Sequence, residues 1–160
     1  VREAIDVARA LEGVLEMLEQ PVAAVDLEGL GQVAEISLLP VLADQSVRGP
    51  ASALSLATGR LADGMIVKLA ACGGLRCARQ IDSIARAARM ATMVGCFIEP
   101  ALLISAGLSL ALSSPNVRYG DLDGSLDLFH DPSRAGFRLE DGWLIASDVP
   151  GLGYTVDLSG

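Results

Sequence analysis

Chemically active side chains punctuate this sequence at nearly even intervals. Glu19, Asp44, Lys68, Cys96 and Asp121 follow one another at separations of 25, 24, 28 and 25 residues. Each closes or lies near the end of a short apolar run: Val14–Leu18, Leu39–Ala43, Met65–Leu69, Thr92–Cys96 and Val117–Tyr119. Carboxylates are hard oxygen donors, and two or three of them hold Mg²⁺ while leaving positions for water and substrate. A lysine within an apolar run is costly unless it is paired or put to use. Such a set suits one chemistry, in which the metal stabilises an enediolate formed from a carboxylate substrate and the desolvated lysine abstracts the α-proton.

Each residue alone also admits a plainer role. Glu19 and Asp44 could cap the loops that follow them, and Lys68 on an edge strand would be an ordinary exposed lysine. Asp121-Leu122-Asp123-Gly124 fits an Asx-type turn. Cys72-Gly73-Gly74-Leu75 could form a phosphate nest at a helix start, although a tight strand-to-helix turn fits it better. His130, beside Asp131-Pro132, reads as a solvated loop residue. The argument for a site rests on the joint placement.

The elements that must position these residues alternate regularly. Amphipathic segments separate the apolar runs: Asp26–Ile36 with Asp26 at its N-cap, Pro50–Leu61, Leu75–Met90, and the almost wholly apolar Ala101–Leu112. A helical pattern over Val1–Leu11 precedes them. Strands alternating with helices imply parallel pairing through right-handed crossovers. In a (β/α)₈ barrel the C-terminal strand ends share one face, and that face carries the active site. The expected fold is therefore α/β: a partial (β/α)₈ barrel over residues 1–123, holding about five of the eight strands with their helices. Residues 124–160 read as an appended hairpin and tail that closes over one end of the barrel. Phe137–Leu139 and Trp143–Ile145 flank Glu140-Asp141-Gly142, a hairpin signal, and Pro150, Gly151 and Gly153 mark an irregular tail.

Composition narrows the class. Half of the 160 residues are apolar, yet the aromatic ones are only Trp143, Tyr119, Tyr154, Phe97, Phe129 and Phe137. The core must be Ala, Leu, Ile and Val, as in covered α/β layers. The net charge of −8 with scattered arginines leaves no footprint for nucleic acid. The run Ala101–Ser114 is shorter than the roughly 20 residues a membrane span needs. Three cysteines (Cys72, Cys77, Cys96) and one histidine make no zinc set and read as reduced thiols, which suggests a cytoplasmic protein. The opening on Val1 suggests a piece of something longer.

At the strand ends the sequence resembles the enolase superfamily, in its muconate-lactonizing subgroup. Leu18-Glu19-Gln20-Pro21-Val22 is similar to the "EQP" motif of that family's fourth strand. Leu42-Ala43-Asp44-Gln45-Ser46-Val47 is similar to the fifth-strand "ADES" motif. Val67-Lys68-Leu69 followed by Gly73-Gly74 is similar to the sixth-strand lysine motif. Met93-Val94-Gly95-Cys96-Phe97-Ile98-Glu99 and Asp121-Leu122-Asp123-Gly124 resemble the seventh- and eighth-strand motifs of dipeptide epimerases.

The resemblance implies Glu19 and Asp44 as Mg²⁺ ligands and Lys68 as one of two acid/base lysines. It implies Asp121 and Asp123 at the amino end of a dipeptide substrate, with Cys96 and Glu99 also lining the substrate site. The implied activity is Mg²⁺-dependent epimerisation of a dipeptide, with a homo-oligomer expected for the complete enzyme. The family's third metal ligand, second lysine and N-terminal capping domain are absent from this sequence. Gln45 stands where the family usually has Glu, and Ala71 where many members carry a further lysine. A muconate-type cycloisomerase and an N-acylamino-acid racemase are the neighbouring alternatives. A non-catalytic partial barrel, binding metal or assembling with a second copy, is the alternative of a different class.

Overall fold

The computed structural model describes residues 1–153, 155 and 156. The first three-quarters is a run of helices and strands: α1 (Arg2–Ala10), β1 (Leu18–Glu19), α2 (Leu27–Ile36), β2 (Val41–Ala43), α3 (Pro50–Gly59), β3 (Gly64–Lys68), α4 (Leu69–Cys72), α5 (Leu75–Ala87), β4 (Ala91–Gly95), α6 (Ala101–Ser113) and β5 (Val117–Gly120). Strands β1 to β5 form one parallel sheet in chain order. Four short strands follow: β6 (Ser133–Arg134), β7 (Phe137–Glu140), β8 (Trp143–Ala146) and β9 (Thr155–Val156). Strand β6 pairs antiparallel with β9, and β7 with β8. The fold is the expected partial α/β barrel.

Strand parity separates the core from the site. Val41, Ala43, Met65, Val67 and Val94 pack outward with Leu30, Val33, Leu56, Ala78 and Ile81 of the helices. Leu42, Ile66 and Met93 point the other way, forming a small inner cluster with Met17 and Tyr119. Side chains alternate along a strand, so the next inward positions toward the C-terminal ends are Glu19, Asp44, Lys68, Gly95 and Asp121. The polar residues thus continue the inner rows, while the outer rows stay apolar.

Local chemistry sets the helix ends. Asp26 Oδ1 accepts from the Gly29 N–H at 2.8 Å and caps α2. Pro50 opens α3, and Ser52 Oγ accepts from the Arg48 and Gly49 N–H groups. Arg60, at φ 52°, stops α3 in the left-handed region, and Arg89, at φ 60°, follows the end of α5. At the start of α6 the Ala101 N–H donates to Asp131 Oδ2 at 2.6 Å, and the Leu102 N–H to Ser133 Oγ at 3.1 Å. The segment after β5 therefore caps α6, and the β7–β8 hairpin lies along it, with Trp143 and Ile145 close to Leu112. Asp141 and Gly142 both have positive φ, 50° and 83°, as a two-residue primed turn requires.

Several expected boundaries move. Val14–Leu18 is not a strand: β1 is only Leu18–Glu19, Val14 is 74% exposed, and Gly13 turns the chain at φ 78°. Among the described residues this strand has a neighbour on one side alone, so pairing starts only where β2 starts, at Leu18 opposite Val41. Leu69 belongs to α4 rather than to the strand, so the glycine pair Gly73-Gly74 links two helices instead of a strand and a helix. Both glycines have φ near 90°, which a side chain would strain. Helices α3 and α5 end at Gly59 and Ala87, ahead of the expected Leu61 and Met90. Of the expected tail, Tyr154 and residues 157–160 lie outside the described residues.

Candidate active site

The C-terminal ends of β1, β2 and β3 bring Glu19, Asp44 and Lys68 together. Lys68 Nζ donates to Asp44 Oδ2 at 2.8 Å and stands 3.7 Å from Glu19 Oε1. Asp44 is 4% exposed, so its charge needs a nearby counterion. The Phe97 ring covers the same ammonium, its centroid 5.2 Å away. Gly95, next to Lys68 in the β3–β4 pairing, makes room for it: a Cβ there would approach Lys68 Cε to 3.1 Å and Ile66 Cγ2 to 3.0 Å.

Electrostatics follow from this crowding. Burial alone would lower the Lys68 pKa, but the Asp44 hydrogen bond and the charges of Asp44, Glu19 and Asp121 raise it above the ordinary lysine value. Burial, a hydrogen bond shared with Asp44 and the Asp44 charge raise the Glu19 carboxyl, against the pull of Lys68. Two carboxylates forced together in this way need a cation between them. The Lys68 ammonium stands in that role, and their hard oxygen donors also suit Mg²⁺.

Sequence reasoning gave Gln20 no role, yet it holds this corner. Its Oε1 accepts from the Asp44 N–H at 2.9 Å and the Ser46 N–H at 3.2 Å, while Nε2 donates to the Val22 carbonyl at 3.2 Å. Gln20 thereby ties the loop after β1 to the loop after β2. Its backbone sits at φ 36°, uncommon for a residue with a side chain. Gln45, the departure from the family pattern, points out as an exposed residue.

A second group forms after β4 and β5. Cys96 Sγ lies 3.8 Å from Asp123 Oδ1, and the Sγ and one carboxylate oxygen each of Asp121 and Asp123 fall within 4.8 Å of one another. Cys96 is buried; both aspartates are exposed. Gly124 permits the approach, because a Cβ there would collide with the Phe97 carbonyl. Burial pushes the Cys96 thiol up, a backbone hydrogen bond from Gly124 opposes it, and the charges of Asp121, Glu99 and Asp123 add to the rise.

Glu99 is 4% exposed. Its Oε2 accepts from the Phe97 N–H at 3.5 Å, and its Oε1 has no partner among the described residues. Burial raises its pKa, while the Phe97 N–H and the Lys68 charge act the other way. The other candidates carry no such geometry. His130 is exposed, edge-on to the Phe129 ring. No helix among the described residues is long and apolar enough to cross a membrane.

Known proteins share both the sequence and this architecture. An L-Lys-D/L-Arg epimerase of Methylococcus capsulatus is 43% identical over 140 residues, which is 87% of this chain and 39% of the relative. Muconate cycloisomerase 1 of Rhodococcus opacus is 33% identical over 153 residues, covering 95% of this chain and 41% of the relative. The crystal structure of a dipeptide epimerase from Enterococcus faecalis, complexed with Mg and the dipeptide L-Leu-L-Tyr, superposes with a TM-score of 0.91 at 32% identity, over 96% of this chain and 44% of that one. The chain thus spans about two-fifths of the length of the relatives it matches. The family model described as "Enolase C-terminal domain-like" matches residues 1–159, and the chain belongs to that family.

Proposed function

We propose that this chain carries the metal-binding corner and one acid–base group of a Mg²⁺-dependent dipeptide epimerase, which inverts the α-carbon of a dipeptide's C-terminal residue by 1,1-proton transfer. The observation that carries the reading is the convergence of Lys68 with Glu19 and Asp44 at three successive strand ends. Glu19 and Asp44 would hold the metal. When bound, the metal supplies positive charge to the substrate carboxylate as the α-proton leaves.

The chain's own residues account for the rest. Lys68, fixed by Asp44 and covered by Phe97, moves the proton on one face of the α-carbon: its amine takes the proton in one direction, and its ammonium returns one in the other. A second base, outside this chain, must serve the opposite face. Asp121 and Asp123 place surplus negative charge beyond Lys68, where the substrate's free ammonium would lie. A dipeptide has that polarity and a dicarboxylate does not, which favours the epimerase over the cycloisomerase reading. The free thiols Cys72, Cys77 and Cys96 suit a reducing cytoplasm.

The test is α-deuterium incorporation by the intact enzyme in D₂O, across free-amino dipeptides and their N-acylated analogues. Free-amino dipeptides should exchange and invert. Lys68→Ala should abolish exchange from one stereoisomer and spare it in the other. Preference for N-acylated substrates would transfer the assignment to an acylamino-acid racemase, and absence of exchange from both groups would overturn the reading.

A further inference from the structure

Phe97 is a large aromatic residue left 50% exposed at the mouth, and its ring lies over Lys68 Nζ with the centroid 5.2 Å away, within reach of a cation–π contact. We propose that Phe97 is a positioning residue for proton transfer: its ring face fixes the tip of Lys68 against the pull of the two carboxylates. The inference rests on the epimerase reading and adds to it a residue that acts through the lysine.

The sheet order carries the argument. Strand β3 lies between β2 and β4. Glu19 and Asp44 follow β1 and β2, so both carboxylates attract the ammonium from one side, at 3.7 and 2.8 Å. Phe97 follows β4 and meets the same ammonium from the other side. Lysine has a long flexible stem. Gly95 leaves room for that stem, since a Cβ there would stand 3.1 Å from Lys68 Cε and 3.4 Å from Cγ. It does not hold the charged tip, and without the ring the carboxylates alone would set where the tip rests.

The ring is itself held. The Phe97 N–H donates to Glu99 Oε2 at 3.5 Å, and the Phe97 carbonyl lies so close to Gly124 that a Cβ there would collide with it. The loops after β4 and β5 therefore fix the backbone that presents the ring. A leucine would fill much of the same space but offers no π face to a cation. Proton transfer is sensitive to such placement, because a displacement of about 1 Å can cost about 100-fold in rate.

The test follows α-deuterium exchange by the intact Mg²⁺-loaded enzyme in D₂O, separately for each stereoisomer of a free-amino dipeptide. Phe97→Leu should slow exchange at least about fivefold for the stereoisomer whose α-proton faces Lys68, through kcat rather than KM, and leave the other nearly unchanged. Phe97→Tyr, which keeps the ring face, should retain the parent rates. A second readout needs no turnover: the Lys68 Hε signals of the intact protein should be shifted upfield by the ring and return toward ordinary lysine values in Phe97→Leu. Equal slowing of both stereoisomers, a change in KM alone, or Lys68 signals unmoved by Phe97→Leu would overturn the proposal and leave the epimerase reading standing. A parent enzyme that exchanges neither stereoisomer would overturn that reading, and the positioning role with it.

Discussion

Lys68 Nζ donates to Asp44 Oδ2 across 2.8 Å and 24 residues of sequence, so one hydrogen bond locks the ends of β2 and β3 together. The acceptor is almost fully buried, and the donor brings the charge that balances it. Removing the lysine leaves an uncompensated carboxylate, the costly half of a broken pair. Lys68→Ala should destabilise the protein by about 3 kcal/mol. Lys68→Ala with Asp44→Ala should lose less than the sum of the single variants. Urea unfolding in a double-mutant cycle checks this, and strict additivity would mean the two groups do not interact.

Gln20 should prove a positioning residue. Gln20→Ala strips the acceptor from the Asp44 and Ser46 N–H groups, at a cost of about 1–2 kcal/mol. Because it frees the loop bearing Asp44, it should also weaken Mg²⁺ binding several-fold in calorimetry on the intact protein. Loss of stability with unchanged Mg²⁺ affinity would confine Gln20 to a structural role.

Glu99 should make stability fall as pH rises. Burial raises its folded pKa, so the folded state holds the proton more tightly than the unfolded chain does. Its contribution is therefore most favourable below the ordinary carboxylate value. It is lost as pH climbs from that value through the raised folded one, and Glu19 contributes in the same direction. Glu99→Gln should flatten this fall and stabilise the protein at neutral pH by about 1 kcal/mol, with little effect in acid. Denaturant midpoints at the two pH values provide the measurement.

Asp123 should discriminate among substrates. An ammonium held by a carboxylate gains a charge-assisted hydrogen bond, so Asp123→Asn should lower kcat/KM for free-amino dipeptides about tenfold or more. N-acylated analogues should be nearly unaffected. Equal losses for both would place the substrate's amino end elsewhere.

Much of this arrangement was legible in the chain itself. Lys68 stands out because an ammonium interrupts Met65-Ile66-Val67, and Asp-Gly at 141–142 specifies its turn without outside help. Asp26 identified the start of α2 for the same reason: its cap is local. What stayed hidden depends on partners distant in sequence. Val14 to Leu18 has the composition of a strand, but its pairing is limited by β2, 20 or so residues on. Leu69-Ala70-Ala71-Cys72 continues an apolar run and so concealed a helical turn. Gln20 could be read as a motif letter but not as a clamp, since its two N–H donors belong to another strand unit. The unpartnered oxygen of Glu99 follows from burial, which a sequence does not print.

The alternation along β3 has a consequence for how this protein can change. Met65 and Val67 face the helices, while Ile66 and Lys68 face inward. Substituting any one of them changes that side chain's own contacts and leaves the facing of the others as it was. Deleting one residue from the strand is different in kind, because every side chain beyond the deletion crosses to the opposite face. Lys68 would turn into the helix layer and an aliphatic neighbour would take its place at the mouth. The same holds for Asp44 after β2 and Asp121 after β5. The strands thus behave like a reading frame: letters can be exchanged one at a time, but insertions and deletions are tolerable only in the connecting loops, where parity is not kept.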